Sequence, residues 1–249
     1  MPTDDREVLR QEFARAAPGF AERTAGRFDK MGVVEFARVR SHETVLEVGA
    51  GTGNFLSLFE GAAARLVALD LTEEMLHEAG RRHPGQALVL GNAFALPFAS
   101  RSVELVASAQ ALHHIHEPVP VLKEMRRVCA QEGRVLIVDQ LATESYEQIA
   151  FMNQVEALRD PSHAMSRPAS AFRTILMAAG LEIVEERVFE DRSRFSNWMW
   201  PGEFPPERIE AVRDFVARFG PETGMHFEPD GDDWTFTRRR IMLLARRPA

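Results

Sequence analysis

One short stretch constrains this chain more than any other, a run of aliphatic residues that ends in a glycine-rich loop. Residues 45–55 read Val-Leu-Glu-Val-Gly-Ala-Gly-Thr-Gly-Asn-Phe. The aliphatic and β-branched residues favour a strand, and glycines at alternate positions favour a tight loop whose backbone takes positive φ. Because glycine has no Cβ, a ligand can approach such a loop closely. The stretch therefore predicts a strand, a loop and a helix, with a ligand site at the loop.

The spacing of the glycines argues against two common nucleotide motifs. Gly49, Gly51 and Gly53 form G-x-G-x-G, whereas the dinucleotide fingerprint places a glycine where this chain has Asn54. A P-loop continues with Gly-Lys-Ser/Thr, which does not follow here, so a triphosphate would lack its lysine. Taken alone, the loop is also compatible with a strand-to-helix turn that binds nothing.

Length and charge limit the class of protein further. A chain of 249 residues can bury a core without disulfides, and we expect one domain with an inserted cap. The formal net charge is −7, and the basic run Arg238-Arg239-Arg240 lies in a segment with the pattern of a strand. Because proteins that bind nucleic acid normally carry a basic face, nucleic acid is disfavoured as a substrate.

The chain has one cysteine, Cys129, which we expect to be a small buried hydrophobe on the apolar side of a helix. One cysteine excludes an internal disulfide and a cysteine-based metal site, and no metal is expected. The residues at 1–7 lack the basic and apolar regions of a signal peptide, and no stretch has the length of a membrane span. We therefore predict a cytoplasmic protein.

Five strands alternate with helices along the first 140 residues, which predicts a doubly wound parallel sheet with ligands at the carboxyl ends of its strands. The predicted strands cover 44–48, 65–70, 86–90, 103–108 and 134–139. The predicted helices follow the glycine loop and Thr72, and a further one begins near Pro118 and ends at Gly133. Later segments predict helices at 145–160, 168–179 and 206–219, and strands at 181–189 and 234–246. Together these elements form an α/β fold with a seven-stranded sheet.

Several polar residues follow the strands at one predicted edge of the sheet. Asp70 ends the second strand, and an ionised carboxylate there can accept hydrogen bonds from both hydroxyls of a ribose. Asp70 follows Gly53 at nearly the interval that such an acid keeps in nucleotide-binding sheets. Residues 91–93 follow the third strand and residues 108–114 follow the fourth. The sequence therefore predicts a nucleoside site at this edge.

Several segments resemble the class I S-adenosylmethionine-dependent methyltransferases. They are Glu-Val-Gly-Ala-Gly-Thr-Gly at 47–53, Leu-Asp-Leu-Thr-Glu-Glu-Met-Leu at 69–76, Gly-Asn-Ala-Phe-Ala-Leu-Pro-Phe at 91–98, Ala-Leu-His-His at 111–114 and the stretch 124–134. Within that family they resemble the small-molecule branch typified by ubiquinone and menaquinone C-methyltransferases. The resemblance covers residues 41 to 190. It implies a Rossmann-like fold, S-adenosylmethionine as cofactor, S-adenosylhomocysteine as product and a small, aromatic or quinone-like acceptor.

The resemblance also implies a role for each cofactor-binding residue. The methionine part of the cofactor would lie against Glu47, Gly49, Gly51 and Gly53. The ribose would be held by Asp70, and the adenine would be flanked by Leu71 and Met75, with its amino edge at Asn92 and Ala93. The sulfonium would be lined by Ala109 and Gln110. The chain departs from the family at Asn92, where aspartate is usual. An amide carbonyl can still accept a hydrogen bond from adenine, so we expect cofactor binding to be retained.

Methyl transfer from a sulfonium needs alignment and exclusion of water, and it needs a base only when the acceptor must lose a proton. His113 and His114 follow the fourth strand, where such a base would act. Adjacent histidines at this position also occur as structural elements in the small-molecule branch. Both residues are therefore candidate catalytic residues with an alternative structural role.

The resemblance leads us to divide the single methyltransferase domain, 1–249, into three functional parts. Residues 1–40 would form two leading helices broken near Pro18-Gly19, residues 41–140 the cofactor-binding core, and residues 141–168 and 190–233 a cap that binds the acceptor. The second cap segment is rich in aromatic residues from Phe195 to Phe204, which suits a flat or apolar acceptor but also suits a second small core. A homodimer is compatible with the sequence.

Two alternatives from other functional classes stay open on the sequence. A non-catalytic protein that binds S-adenosylmethionine as a scaffold would explain Asn92 and the lack of a clear general base. A nicotinamide oxidoreductase would share the sheet, but Asn54 does not match its glycine fingerprint.

Overall fold

The computed structural model describes residues 3–199 and 204–248. The strands are β1 Thr44–Val48, β2 Arg65–Asp70, β3 Gln86–Leu90, β4 Val103–Ala109, β5 Cys129–Gln140, β6 Glu182–Arg194, β7 Glu228–Asp230 and β8 Asp233–Arg246. The α-helices are α1 Thr3–Thr24, α2 Val33–Ala37, α3 Glu73–Arg82, α4 Pro118–Val128, α5 Tyr146–Arg159, α6 Ala169–Ala178, α7 Phe195–Met199 and α8 Pro206–Phe219. Across the described ranges, no helix combines the length and the apolar character that a membrane span requires.

A single sheet organises the molecule, with the strand order β3-β2-β1-β4-β5-β8-β6. The first five strands in that order are parallel, and β8 pairs antiparallel with both β5 and β6. The short β7 pairs with the beginning of β8 and stands outside this order. The predicted α/β class and its doubly wound, mostly parallel sheet of seven strands are confirmed. The carboxyl ends of β1 to β4 therefore meet at one edge.

Apolar clusters cover both faces of the sheet, which is why its central strands are apolar on both sides. Val106 of β4 packs with the buried face of α4, whereas its neighbours Leu105 and Ala107 pack with Phe36 and Phe59 on the opposite face. A third cluster lies outside these two and joins α5, α7, α8 and the first half of β8. Its members include Met152, Val155, Phe195, Trp198, Val212 and Phe236. Much of the aromatic density near residue 195 is therefore buried in a small core.

The prediction of two leading helices broken near Pro18-Gly19 is wrong, because α1 runs through Pro18 without interruption. Proline inside a helix removes one hydrogen bond and costs about 3 kcal/mol. Ala17 and Ala21, on either side of this position, are both almost completely buried. Packing of the helix on the rest of the protein outweighs the local cost.

Two further local predictions are corrected by the structure. The helix expected after the glycine loop is only a 3₁₀ turn, Leu56–Phe59, because residues 54–64 must return the chain to the start of β2. The helix expected to end at Gly133 ends at Val128, and Cys129 begins β5 instead of lying in the helix. Its partner in the neighbouring strand is Val103, so backbone pairing in the sheet competes successfully with the helix. Cys129 is buried as expected.

Candidate active site

The glycine loop after β1 folds over the end of β2. The backbone amides of Gly49 and Ala50 both donate to the carbonyl of Leu69, at 2.8 and 3.0 Å. Gly49, Gly51 and Gly53 have φ of 77°, 52° and 77°, the left-handed region that favours glycine. The loop is thus fixed to the neighbouring strand in a conformation that other residues adopt with strain.

The three glycines differ in what surrounds them. A Cβ on Gly49 would lie 2.8 Å from the Cβ of Ala111, and one on Gly53 would lie 2.4 Å from Oε1 of Gln86. A Cβ on Gly51 would meet nothing closer than Cε1 of Phe20 at 4.0 Å. A side chain at the first glycine would clash with Ala111 and one at the third would force the buried Gln86 side chain to move, whereas the second glycine faces open space.

That open space is a cavity at the carboxyl ends of β1, β2, β3 and β4, which we call the cofactor cavity. Nine of the eleven predicted cofactor-binding residues line it: Glu47, Gly49, Gly51, Asp70, Leu71, Asn92, Ala93, Ala109 and Gln110. Gly53 and Met75 are not on its wall. Met75 is fully buried within α3, so the structure does not bring it to the cavity.

Asp70 ties the glycine loop to the start of α3. Its Oδ2 accepts the amide of Gly51 at 2.7 Å, and its Oδ1 accepts the amide of Thr72 at 2.9 Å. Burial raises the pKa of Asp70, although these backbone hydrogen bonds oppose the shift. A carboxylate has about four acceptor positions, so two amide donors leave room for further donors from the cavity.

Glu47 lies beneath the loop with almost no exposed surface. Within the described part of the chain, no donor reaches its Oε2. Burial raises its pKa well above the ordinary value, and the charge of Asp70 adds to this shift. Burying a carboxylate without a partner is costly, so this oxygen is suited to a cationic ligand group.

Asn92 and Gln110 both line the cofactor cavity. The Oδ1 of Asn92 accepts the amide of Phe94 at 3.0 Å, so one of its two lone pairs is already used. Gln110 has a φ of 53°, and its side-chain Nε2 has no hydrogen-bond partner among the described residues. Its backbone amide donates to the carbonyl of Val138 at 2.7 Å, which fixes the chain after β4 against β5.

A second cavity of about 310 Å³ adjoins the first, and we call it the acceptor cavity. The two cavities share the wall residues Phe13, Phe20, Arg27, Gln110 and His114. The rest of its wall includes His113, Gln140, Arg159, Asp160, Ser162, Trp198, Phe204 and Arg238. The shared wall means that ligands in the two cavities would lie next to each other.

His113 is held by Asp139, at the end of β5. Its Nδ1 lies 2.6 Å from Oδ1 of Asp139, and its backbone amide donates to Oδ2 of the same carboxylate. Burial lowers the pKa of His113, and the neighbouring histidines His114 and His163 lower it further. Burial raises the pKa of Asp139 to about 6. Above this pH a neutral imidazole donates its Nδ1 proton to the carboxylate, which leaves Nε2 as an acceptor.

His114 is held in a similar way by Ser162. The hydroxyl of Ser162 donates to Oδ1 of Asp160 at 2.6 Å, so it can only accept from Nδ1 of His114 at 3.1 Å. The Nδ1 atom is also 3.1 Å from the carbonyl of Ser162. These contacts place the proton on Nδ1 of His114. The contacts that hold the ring do not involve its Nε2 atom.

Comparison with known proteins supports a methyltransferase. Residues 46–137 match the model of a methyltransferase domain. The Bacillus subtilis protein named uncharacterized methyltransferase YcgJ is 28% identical over 185 residues, which cover 72% of this chain and 73% of that protein. A crystal structure of a Bacillus halodurans protein described as a methyltransferase has a TM-score of 0.82 at 26% identity, covering 89% of this chain and 100% of that one. These similarities support assignment of this chain to the S-adenosylmethionine-dependent methyltransferases.

The menaquinone-related relatives match over shorter segments. The demethylmenaquinone methyltransferase of Renibacterium salmoninarum is 36% identical over 97 residues, which cover 39% of this chain and 41% of that protein. The shared segment is therefore too short to include all the elements that line the acceptor cavity.

The sequence missed several residues of the methyltransferase site. Phe13, Phe20 and Arg27 reach both cavities from α1 and the turn after it, and nothing in their spacing distinguishes them from a helix that only covers the sheet. Asp139 was predicted only as the end of a strand, although a carboxylate at the end of a parallel strand is the kind of signal that identified Asp70. The predicted cap residues at 200–203 lie outside the described residues.

Proposed function

We propose that this methyltransferase binds S-adenosylmethionine in the cofactor cavity and transfers its methyl group to a small molecule in the acceptor cavity. The observation that carries the proposal is the wall common to both cavities, which includes Gln110 and His114. Methyl transfer requires the two reacting atoms to approach in line at close distance. In this proposal residues 41–140 bind the cofactor, and the leading helix with 141–168 and 190–233 binds the acceptor.

The cofactor cavity offers a partner for each polar part of S-adenosylmethionine. The unpartnered Oε2 of Glu47 would accept from the ammonium group, and Asp70 would accept from the ribose hydroxyls. The open side of Gly51 would allow the cofactor to contact the backbone closely. Leu71, Asn92 and Ala93 would contact the adenine, with the second lone pair of the Asn92 carbonyl facing its amino group.

When bound, the cofactor supplies a methyl group that is already activated as a sulfonium. The protein then has to align the acceptor and exclude water. Phe13 and Phe20 of α1 lie over both cavities, and Phe13 packs against His114 with 5.0 Å between ring centroids. These side chains would restrict water at the place where the two ligands meet.

We assign the general base to His113, with Asp139 as the residue that orients it. Because Nδ1 donates to Asp139, Nε2 is the atom that can accept a proton from an oxygen or nitrogen acceptor. His113 lines the acceptor cavity and does not line the cofactor cavity, as a base for the acceptor requires. His114, on the common wall, would position the acceptor against the cofactor.

An aromatic or quinone-like acceptor is supported by the aromatic wall of the acceptor cavity and by the names of the menaquinone-related relatives. Phe13, Phe20, Trp198 and Phe204 line the cavity. Aromatic side chains bury large flat surfaces and prefer stacked or edge contacts with other rings.

Thermal unfolding with S-adenosylmethionine, S-adenosylhomocysteine and NAD tests the cofactor part of the proposal. We expect both adenosyl ligands to raise Tm and NAD to have no effect. Labelled S-adenosylmethionine with phenols, quinones and amines then tests the acceptor part. Stabilisation by NAD alone would overturn the cofactor assignment, and binding without transfer to any acceptor class would favour a non-catalytic binding protein.

A further inference from the structure

The acceptor cavity carries an excess of positive charge. Four arginines and two carboxylates line it: Arg15, Arg27, Arg159 and Arg238, with Glu12 and Asp160. Arg27 lies in the turn after α1, Arg159 ends α5 and Arg238 lies on β8, so three separate parts of the chain bring guanidinium groups to one cavity. This convergence is not needed to bind a neutral aromatic acceptor.

Two of these arginines have no counter-ion in the described ranges 3–199 and 204–248. No hydrogen bond or ion pair joins the guanidinium group of Arg27 or of Arg238 to another residue there. Glu12 pairs with Arg15 at 2.6 Å, and Glu156 pairs with Arg159 at 3.0 Å. The cavity therefore holds two cations whose potential partners are already occupied or absent.

The residues around Arg238 add to the excess of positive charge in the acceptor cavity. Burial lowers its pKa to about 10, and the charges of Arg240 and Arg159 contribute to the shift, while Glu156 and Asp191 oppose it. Asp191, however, lies 3.1 Å from Arg240, which is almost fully buried. Burial and the same arginines also lower the pKa of Arg27. A partly buried cation without a partner is destabilising, and an anionic ligand removes that cost.

The carboxylate that remains in the cavity faces the histidines. Burial raises the pKa of Asp160, but attraction to His114 and Arg159 outweighs this and lowers it to about 2. Its Oδ1 also accepts from both the amide and the hydroxyl of Ser162. Asp160 is thus ionised and engaged on the side of the cavity that holds His113 and His114.

Besides the arginines, the acceptor cavity has an apolar wall and a hydrogen-bond donor that lacks an acceptor among the described residues. Trp198 and Phe204 line the cavity, and Arg159 lies over the Trp198 ring at 5.1 Å from its centroid. The indole Nε1 of Trp198 is buried and has no acceptor among the residues that the structure describes. A ligand with an acid group and an apolar body would match both features.

We propose that the acceptor of this methyltransferase is an organic oxyanion, a carboxylate or a phosphate ester, whose acid group pairs with Arg238. This proposal rests on the proposed function, because it concerns the same acceptor cavity. Arg27 also lines the cofactor cavity, where it can pair with the carboxylate of the cofactor's amino-acid tail. Arg238 lines only the acceptor cavity of these two, so it separates binding of the acceptor from binding of the cofactor.

The test measures Tm of the protein saturated with S-adenosylhomocysteine in the presence of matched acid and neutral probes. The pairs are 4-hydroxybenzoate and 4-hydroxybenzamide, cinnamate and cinnamamide, hexanoate and hexanamide, and phenyl phosphate and phenol. We expect at least one acid to raise Tm by about 3 °C at ten times its dissociation constant, and its neutral counterpart to have a smaller effect. The aromatic, aliphatic and phosphate pairs distinguish the source of the oxyanion.

Arg238→Gln provides the matched variant. It should abolish the difference between acid and neutral probe, leave stabilisation by S-adenosylhomocysteine unchanged, and raise Tm of the ligand-free protein because it removes an unpartnered cation. Arg218→Gln, at an exposed position of α8, should change none of these values. If S-adenosylhomocysteine itself gives no stabilisation, the proposed function fails. If it stabilises the protein but no acid exceeds its neutral counterpart, or if Arg238→Gln keeps the preference, the oxyanion proposal is overturned.

Discussion

The Nδ1 atom of His113 lies 2.6 Å from Oδ1 of Asp139, and both side chains are almost excluded from solvent. An ionised carboxylate can only accept, so above the pKa of Asp139, about 6, this contact places the imidazole proton on Nδ1. The histidine is thereby held in the one neutral tautomer whose Nε2 can remove a proton from the acceptor.

Asp139→Asn should lower kcat by roughly 100-fold, since an amide can donate to Nδ1 and so stabilise the wrong tautomer. Steady-state rates with an acceptor found by the labelled-methyl screen measure this effect, and ¹⁵N chemical shifts of the ring report the tautomer without turnover. Binding of S-adenosylhomocysteine should not change. Asp214→Asn, at an exposed position of α8, is the control. An unchanged kcat in Asp139→Asn would remove His113 from the chemical step.

His163 should make the protein less stable in acid. Its Nε2 lies 2.8 Å from Oδ1 of Asn153, and burial lowers its pKa to about 4, below the ordinary 6.5. The unfolded chain takes up the proton near pH 6.5 and the folded chain only near pH 4, so the free energy of unfolding falls as the pH drops through that interval. The loss is about 3 kcal/mol at most. Urea unfolding at pH 7.5 and pH 4.5 should show a smaller difference for His163→Gln than for the parent. Equal differences would contradict the assignment.

Gly51 and Gly53 should respond differently to alanine. Gly51→Ala should cost about 1 kcal/mol of stability through its positive φ, but its Cβ would project toward the cofactor cavity and weaken binding of S-adenosylhomocysteine. Gly53→Ala should cost about 3 kcal/mol, because its Cβ would collide with Gln86, which donates to the Gly53 carbonyl. Thermal unfolding and calorimetric titration separate the two effects. Parental affinity in Gly51→Ala would show that the cofactor does not approach this face of the loop.

Glu47→Gln should stabilise the ligand-free protein and weaken its binding of S-adenosylhomocysteine. The buried carboxylate has a raised pKa, so its cost to the folded state grows as the pH rises above the ordinary value of 4.5. The variant should therefore raise Tm of the ligand-free protein at pH 8. It should also weaken binding of S-adenosylhomocysteine about 10- to 100-fold, because the ammonium group would lose a charged acceptor. Unchanged affinity would place the amino group elsewhere.

The sequence predicted the first half of the sheet closely, because each strand there is a short apolar run between polar turns. The structure gives β1, β2 and β3 the predicted bounds, and Asp70 lies at the end of its strand as expected. Predictions from the local sequence pattern were wrong where tertiary packing decides the conformation of the chain or the direction of a side chain. Pro18 lies inside a helix because its neighbours are buried, and Met75 faces the core because the period of α3 turns it away from the cavity.

The acceptor cavity could not be assembled from the sequence, because its residues come from distant parts of the chain. Arg27 and Arg238 are separated by nearly the whole sequence, and each has an ordinary local explanation as a charge on a helix end or a strand. His113 was a candidate for its position after β4, but its partner Asp139 becomes evident only when β5 lies beside β4.

Calorimetric titration of the protein with S-adenosylhomocysteine, with and without the Asp70 carboxylate, tests the central claim most directly. We predict that the parent binds S-adenosylhomocysteine and does not bind NAD. Asp70→Ala should weaken binding at least tenfold, and Asp70→Asn, which keeps an acceptor for the Gly51 amide, should also weaken it while preserving the fold. Binding of NAD in place of S-adenosylhomocysteine, or parental affinity in both Asp70 variants, would contradict the account.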